Sequence, residues 1–433
     1  MLRRPFAPLV VLALCACALG IFLRVHNFDF PERLLFDERH FVHNAFHYLE
    51  GKPDTNDHPP LGKLWMAVSV SAFGRGPVGF RGASLVAGLL SLAFGSWTAA
   101  RLFGPLAGIC ALALLGLDGF FIAYSRAGLL DGFLLMLGFA VTWTATLRRP
   151  VLVACVGGLL VGLAANIKFS GITTLVAPLI ALAFAPTPRL HRLGYTLLLG
   201  ALTVGTYLAA YAGGLALSGL PASISSVVEH SRGLYLHHLA LTEMKHPLTS
   251  GWVSWVVPTR PIVLGFIRDA TSVRALSMLG NLVIWWPAAA LGLFTAGTMT
   301  WLGLAQVTAG PLRFVQNQTT ASSAAQDSAP TLSHFVRTHG RGCYLVLGQA
   351  LAFLAPWVAT HRDSYIYHYL PVYGLLVVLL AGFVAFVARA KPRRALLFLC
   401  LVTLCGGYYA PVWSFMPLSP AAYEQRLFVR SWR

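Results

Sequence analysis

The sequence predicts an all-α polytopic membrane protein, and its charge content and the arrangement of its apolar residues carry that prediction. Charged residues make up 11% of the 433 positions and hydrophobic ones 57%; a soluble domain carries roughly 25% charged residues. The apolar residues fall in runs rather than alternating. A run of about 20 apolar residues crosses about 30 Å of hydrocarbon as a helix, which alone satisfies its own backbone there. Eleven candidate spans follow, at 5–23, 82–100, 105–123, 129–147, 151–166, 171–185, 194–217, 277–305, 342–359, 369–388 and 395–412. Leu2-Arg3-Arg4 before the first run has the look of a signal peptide, but no small-x-small cleavage site follows and Arg24 comes directly after Leu23. The run reads as an uncleaved first helix.

Two long polar segments, 24–81 and 218–276, interrupt the spans. A third, 306–341, is rich in Ser, Thr, Gln and Ala and reads as a flexible loop. If spans alternate, Arg3-Arg4, Arg148-Arg149, Arg189/Arg192 and Arg389-Lys391-Arg393-Arg394 share one side, which the positive-inside rule makes cytoplasmic. The N-terminus and 306–341 are then inside, and both long polar segments are outside. Every acid but Asp327 lies outside or at the outer membrane edge, so the outer face is where chemistry is expected.

The net charge of +17 raises nucleic acid as a partner. That requires a basic face on a soluble module, whereas these cations sit at the ends of apolar runs, where lipid phosphate is the fitting partner. The seven cysteines all lie inside apolar runs without CxxC or His/Cys spacing and read as small buried hydrophobes. His237-His238 with Glu243 and His246 fits no zinc motif, so neither metal nor cofactor is expected.

The most informative stretch is Phe36-Asp37-Glu38-Arg39-His40-Phe41, followed by Asp57-His58-Pro59-Pro60-Leu61-Gly62-Lys63. Adjacent carboxylates cannot share a helix face, so one can aim at a substrate while a neighbour holds the other. A solvated pair of loop charges fits the spacing equally well. His58-Pro59-Pro60 is a stiff turn that delivers Lys63 to the membrane surface.

These residues resemble the protein O-mannosyltransferase family, whose first outer loop carries FDE-x-HF and then HPPLGK. Further stretches resemble its motifs in order. They are Ser125 to Asp131, Lys168-Phe169-Ser170-Gly171, and the run of His246-Pro247, Ser250, Trp252, Trp255 and Arg260-Pro261. Leu279-Gly280-Asn281 with Trp285-Trp286 follows, and then Arg362, Tyr365 and Tyr367-His368-Tyr369-Leu370-Pro371. The resemblance covers nearly the whole chain and depends on six motifs in sequence. Two departures concern the acceptor side: Asp57 sits directly beside His58, and Leu248 stands where the family has Tyr after His-Pro. The soluble MIR domain of eukaryotic members has no counterpart, since 306–341 is too short to hold it. The expectation is a compact prokaryotic type, one GT-C domain over 1–433 in the cell (inner) membrane.

The resemblance implies transfer of mannose from a polyprenyl-phosphate lipid to Ser/Thr hydroxyls of an acceptor protein, with inversion. It makes Asp37 the general base, with Glu38 in an orienting or structural part. Arg126, Arg260 and Arg362, with Lys63 and Lys168 behind them, would hold the donor phosphate, because an arginine fork matches phosphate oxygens in pairs. For any one of them the plain alternative is snorkelling to headgroups. His246, Trp252, Trp255, His58 and Tyr367 would frame substrate, against an interfacial aromatic belt as the alternative. A related GT-C transferase modifying lipid A with aminoarabinose is the rival enzyme. An inactive partner subunit is another rival. A transporter is the rival from another class, but the spans show no internal repeat and no charge at mid-membrane.

Overall fold

The computed structural model describes residues 6–55, 57–240, 247–309, 330–360, 364–427 and 429–432. Its helices are α1 (Ala7–Val25), α2 (Glu38–Leu49), α3 (Leu61–Phe73), α4 (Pro77–Phe103), α5 (Pro105–Gly116), α6 (Gly119–Arg126), α7 (Leu130–Thr144) and α8 (Pro150–Ala165). A 3-10 turn (Phe169–Leu175) leads into α9 (Val176–Ala183), α10 (Arg189–Leu217), α11 (Ile224–Ala240) and α12 (Trp252–Val256). The antiparallel strands β1 (Val263–Arg268) and β2 (Val273–Ser277) follow. Next come α13 (Leu282–Ala309), α14 (Leu332–Ala359), α15 (Leu370–Ala390), α16 (Pro392–Trp413) and α17 (Pro420–Arg426).

Each of the eleven apolar segments is mostly helical over its described residues, but the count of eleven spans is not established. Among the described residues seven helices are long and apolar enough to cross, or eight if α5 and α6, bent by 66°, form one span. The stretches at 130–144, 150–165 and 169–183 are helical but short, 15 or 16 residues each. At 1.5 Å per residue that is about 23 Å, less than the roughly 30 Å of hydrocarbon. The loop expected at 306–341 is also narrower, because α13 continues to Ala309 and α14 begins at Leu332. Its middle, 310–329, lies outside the described residues. The β1–β2 hairpin, extended by a bridge from Val273 to Leu418, was not anticipated in an all-α chain.

Local sequence explains the breaks. Gly104, at φ 103°, ends α4 in a conformation open to glycine, and Pro105 starts α5 at once. The α5–α6 bend is built on Asp118. Its carboxylate accepts the Phe120 N–H at 2.9 Å, the Asn281 N–H at 2.8 Å and the Tyr373 hydroxyl at 2.8 Å. Asn281 in turn donates to the Leu117 and Val402 carbonyls, so the Leu279-Gly280-Asn281 motif stitches buried backbone left open by the bend. The span from Ile366 to Ala390 is the buried centre of the bundle, whereas few residues in the apolar window of α10 are buried.

Candidate active site

Asp37 and Glu38 open α2 and have opposite surroundings. Glu38 is fully buried. Its carboxylate meets Arg81 in a two-pronged ion pair (Nε–Oε1 2.9 Å, Nη2–Oε2 3.1 Å) and accepts the N–H groups of Leu35 (2.7 Å) and Gly128 (2.8 Å). Arg81 spends its other donors on the carbonyls of Pro31 (2.9 Å) and Arg33 (3.1 Å), with longer contacts to Phe28 and Asp29. Every lone pair of Glu38 is thus directed at a protein donor, so it ties the first polar segment to α4 and to the Ser125–Asp131 motif.

Asp37 stands at the N-cap of α2, where an aspartate ordinarily accepts a helix N–H. Here it does not, and among the described residues its half-buried carboxylate makes no hydrogen bond or ion pair. Burial raises its pKa above the ordinary carboxylate range; His40, Lys168 and Arg39 oppose that shift, and Asp131 adds to it. The residue before it, Phe36, is held at φ 43°. For a bulky side chain that backbone costs on the order of 1–3 kcal/mol, and such outliers cluster at functional sites. Phe36 also meets the Tyr367 ring edge-on at 6.4 Å.

Lys168, Asp131, Tyr124 and Tyr367, from four other segments, gather around Asp37, with His58 and His238 beyond Lys168. Lys168, just after α8, places its ammonium 2.8 and 2.9 Å from the two Asp131 oxygens and 5.3 Å over the Tyr367 ring. Gly171 lets this turn fold back, since a Cβ there would run into the Ala164 carbonyl. Tyr124, fully buried on α6, feels the charges of Asp131 and Asp37. His58 is stacked on His238 at 5.3 Å. Its pKa falls well below the ordinary imidazole value through burial and the neighbouring charges of Lys168, His238, Lys63 and His368, so the ring is neutral. The turn bearing His58 is docked by the Leu61 N–H on the Asn166 carbonyl.

The structure redistributes the expected phosphate ligands. Arg126 is 1% exposed. It donates to the carbonyls of Leu23 (2.6 Å), Arg24 (3.2 Å), His26 (2.8 Å) and Asn27 (2.8 Å), where α1 ends. That makes it a backbone clamp at a helix C-terminus rather than an open fork for phosphate. Lys63 is buried, ion-paired with Asp54 and bonded to the His58 carbonyl at 2.6 Å, and the Tyr48 hydroxyl also meets Asp54. Its charge is answered within the fold, as that of Lys168 is by Asp131. Arg260 is exposed, bonds the Thr249 carbonyl alone among the described residues (3.1 Å), and edges a cavity of about 620 Å³ beside the hairpin and the 420–432 segment. Arg362 and His246 lie outside the described residues.

Of the aromatics, Tyr367 joins the cluster. Trp252 is partly exposed on α12, and nothing in the structure brings it to Asp37. Trp255 is a core residue, not a platform for sugar: it is fully buried and donates to the Ser250 carbonyl and hydroxyl, both at 3.0 Å. Asp131, Tyr124 and His238 join the cluster without having been expected there. Asp131 and Lys168 each stood in a recognised motif, and opposite charges in two such motifs were the available signal. For Tyr124 and His238 there was none. No group of three or more His, Cys, Asp or Glu suited to a metal occurs among the described residues.

A polytopic helical bundle that gathers a strained carboxylate, unpaired among the described residues, near a buried Lys–Asp pair has the architecture of a GT-C membrane glycosyltransferase. Solved structures agree on the fold. The S. cerevisiae protein O-mannosyltransferase Pmt1-Pmt2 complex bound to the sugar donor superposes with a TM-score of 0.78 at 13% identity, over 98% of this chain and 92% of that one. ArnT from Cupriavidus metallidurans bound to undecaprenyl phosphate gives 0.56 at 16% identity, over 93% and 65%. Residues 14–79 and 57–210 match the family described as dolichyl-phosphate-mannose-protein mannosyltransferase, and 223–432 match the C-terminal four-transmembrane region of protein O-mannosyltransferase. A polyprenol-phosphate-mannose–protein mannosyltransferase of Mycolicibacterium smegmatis is 23% identical over 92% of this chain and 87% of its own length. One of Mycobacterium tuberculosis is 22% identical over 92% and 86%. The chain belongs to the protein O-mannosyltransferase family.

Proposed function

We propose that this protein transfers mannose from a polyprenyl-phosphate-mannose lipid to Ser or Thr hydroxyls of proteins, on the extracytoplasmic face of the cell membrane, with its N-terminus in the cytoplasm. The observation that carries the reading is Asp37. It is the member of the acidic pair left without a partner among the described residues, its burial favours proton uptake, and it sits in the family's first motif.

In the reaction the acceptor hydroxyl attacks the anomeric carbon, Asp37 takes the hydroxyl proton, and the C–O bond to phosphate breaks with its electron pair leaving on the lipid phosphate. Displacement from the far side inverts the centre, so a β-linked donor gives an α-linked product. The phosphate is a good leaving group and needs positive partners more than an acid. Arg260 keeps an open guanidinium for it, Arg362 is assigned to it on its motif, and the Lys168 ammonium adds a positive field beside Asp37. Tyr367 and the neutral His58 shape the sugar side. General-base assistance of this kind contributes about 10²–10⁴-fold.

The deciding experiment supplies purified protein in liposomes with radiolabelled polyprenyl-phosphate mannose, a Ser/Thr peptide and bacterial lipid. Label on the peptide, lost with Asp37→Asn, is expected. Label moving to lipid instead would put the chain with the lipid-modifying transferases.

A further inference from the structure

Helix α11 lies in the second polar segment and buries one apolar residue, Val227, yet carries many others. At 100° per residue its side chains divide into three sectors. Val227, Ser231, Leu234 and His238 fall within an arc of about 60°. Val227 and Leu234 on this arc pack against Tyr211 and Leu215 of α10, and Ser231 bonds the Tyr207 hydroxyl at 2.7 Å. Ser226, Glu229, Gly233 and His237 form a polar arc. Between the two, Ile224, Val228, Tyr235 and Leu239 occupy another arc of about 60°, all more than half exposed, from 68% at Ile224 to 54% at Leu239. Arg232 and the exposed Leu236 stand at the border between this apolar arc and the polar one.

A helix with one face on protein, one polar and one apolar between them fits a phase boundary. The helix on which α11 packs, α10, is also long and apolar enough to cross a membrane. α10 carries α11, and exposes Leu190, Leu193, Leu197, Val204 and Leu217 along its length. α11 starts seven residues after α10 ends. We infer that α11 is an interfacial helix whose Ile224–Val228–Tyr235–Leu239 face is sunk in the outer leaflet of the bilayer, with Arg232 and the Tyr235 hydroxyl at headgroup level. Amphipathic helices of this kind bury their apolar face about 5–10 Å into the headgroup–acyl boundary, and long basic side chains reach back to phosphate.

The placement has a consequence for the site. At the far end of α11, His238 bonds the Asp57 carbonyl at 2.7 Å and stacks on His58, and His237 meets the Asp57 carboxylate at 3.2 Å. A helix floating at the bilayer surface therefore fixes the height of the turn that carries His58, and with it the level at which a lipid-linked phosphate is met. Which leaflet is involved rests on the orientation proposed above; burial in lipid does not.

The test uses the full chain with its native cysteines replaced, each variant first shown to retain its folded melting transition. Single cysteines at Val228, Leu239 and Glu229 are labelled with an environment-sensitive fluorophore and placed in nanodiscs of plain or brominated phospholipid. Probes at 228 and 239 should be blue-shifted and lose about half their emission to bromine, while the probe at 229 reports water. Equal, water-like emission at all three positions overturns the inference. So does shielding at 228 and 239 that persists in detergent and ignores bromine, which would mean a protein partner such as a second copy. Val228→Asp and Leu239→Asp should also raise the KM for the lipid donor several-fold with kcat little changed. Unchanged KM alongside bromine quenching would break the link to the site, and absence of any transfer in the parent protein would strike the proposed reaction while leaving the quenching result standing.

Discussion

Two regions meet at the start of α2 and differ in how completely their charges are satisfied. Beneath the turn, Glu38, Arg81, Arg126 and Arg24 form a buried polar layer. Arg24 donates to the Ser125 hydroxyl and to the carbonyls of Gly20, Gly116 and Leu115, closing the C-terminus of α5 as Arg126 closes that of α1. Almost every donor there has an acceptor. Facing the cluster of Lys168, Asp131 and Tyr367, Asp37 has a carboxylate with no partner among the described residues, on a backbone strained at Phe36. Folding explains the first arrangement, because a buried guanidinium or carboxylate left unpaired is costly. It does not explain the second. An ionisable group kept half-buried and unpaired fits the general-base role proposed for Asp37.

The comparison is broken most directly at the acidic pair. Asp37→Asn should lower turnover by about 10²–10⁴-fold with donor binding retained. Its effect on stability has a definite sign. The folded-state pKa of Asp37 lies above its unfolded value, so any stability linked to its protonation is present at low pH and lost as the pH rises through the folded value. At neutral pH the ionised group therefore costs stability, and the Asn variant should melt at the same temperature or higher. A lowered melting temperature would show that Asp37 belongs to the structural layer after all. Glu38→Gln should do the opposite. Removing one partner of a buried ion pair costs about 3–5 kcal/mol, so abundance and melting temperature fall, and transfer per folded molecule falls less than in Asp37→Asn. Full stability in Glu38→Gln would erase the distinction.

Arg126→Lys extends the contrast to the cations. A lysine cannot reach the several carbonyls at the end of α1 together, and hydrogen bonds from charged groups are worth about 1.5–3 kcal/mol each. The expected result is a lower melting temperature with donor KM unchanged in the protein that folds. A raised KM at full stability would return Arg126 to the phosphate.

The pH profile is a subtler probe of the open region. Because burial holds the Asp37 pKa above the ordinary value of about 3.9, the acid limb of kcat/KM should turn down at a higher pH than a solvated carboxylate gives. An acid limb at the ordinary carboxylate position would point to a solvated base elsewhere.

Much of this was legible in the chain. Apolar runs announce helices because hydrocarbon leaves the backbone no other choice, and all eleven segments are mostly helical over their described residues. Their lengths across the membrane were not legible, since packing inside the bundle lets 130–144 be short and buried at every residue but Trp143. The adjacency of Asp37 and Glu38 showed that they would diverge; which one would be free depended on Arg81, 43 residues away. Arg126 looked like an edge cation because nothing local reveals that a guanidinium will meet carbonyls 100 residues earlier. Asp131 and Lys168 each stood in a motif, but their pairing is a fact of α7 and α8 packing.

The smallest expected effect belongs to Arg260, and it sharpens the comparison from the open side. Its guanidinium has one backbone partner and is exposed, so Arg260→Lys should change folding stability by no more than about 0.5 kcal/mol. A lysine keeps the charge but loses the planar fork that meets two phosphate oxygens at once. If the phosphate sits there, donor KM should rise a few-fold and become more sensitive to salt, because a point charge at an exposed position is more readily screened. Measured beside Arg126→Lys, the two variants should separate cleanly: one loses stability without losing donor affinity, the other the reverse. Unchanged KM in Arg260→Lys would leave this arginine at the rim of its cavity as a surface group, and the lipid phosphate would then have to be sought nearer Lys168.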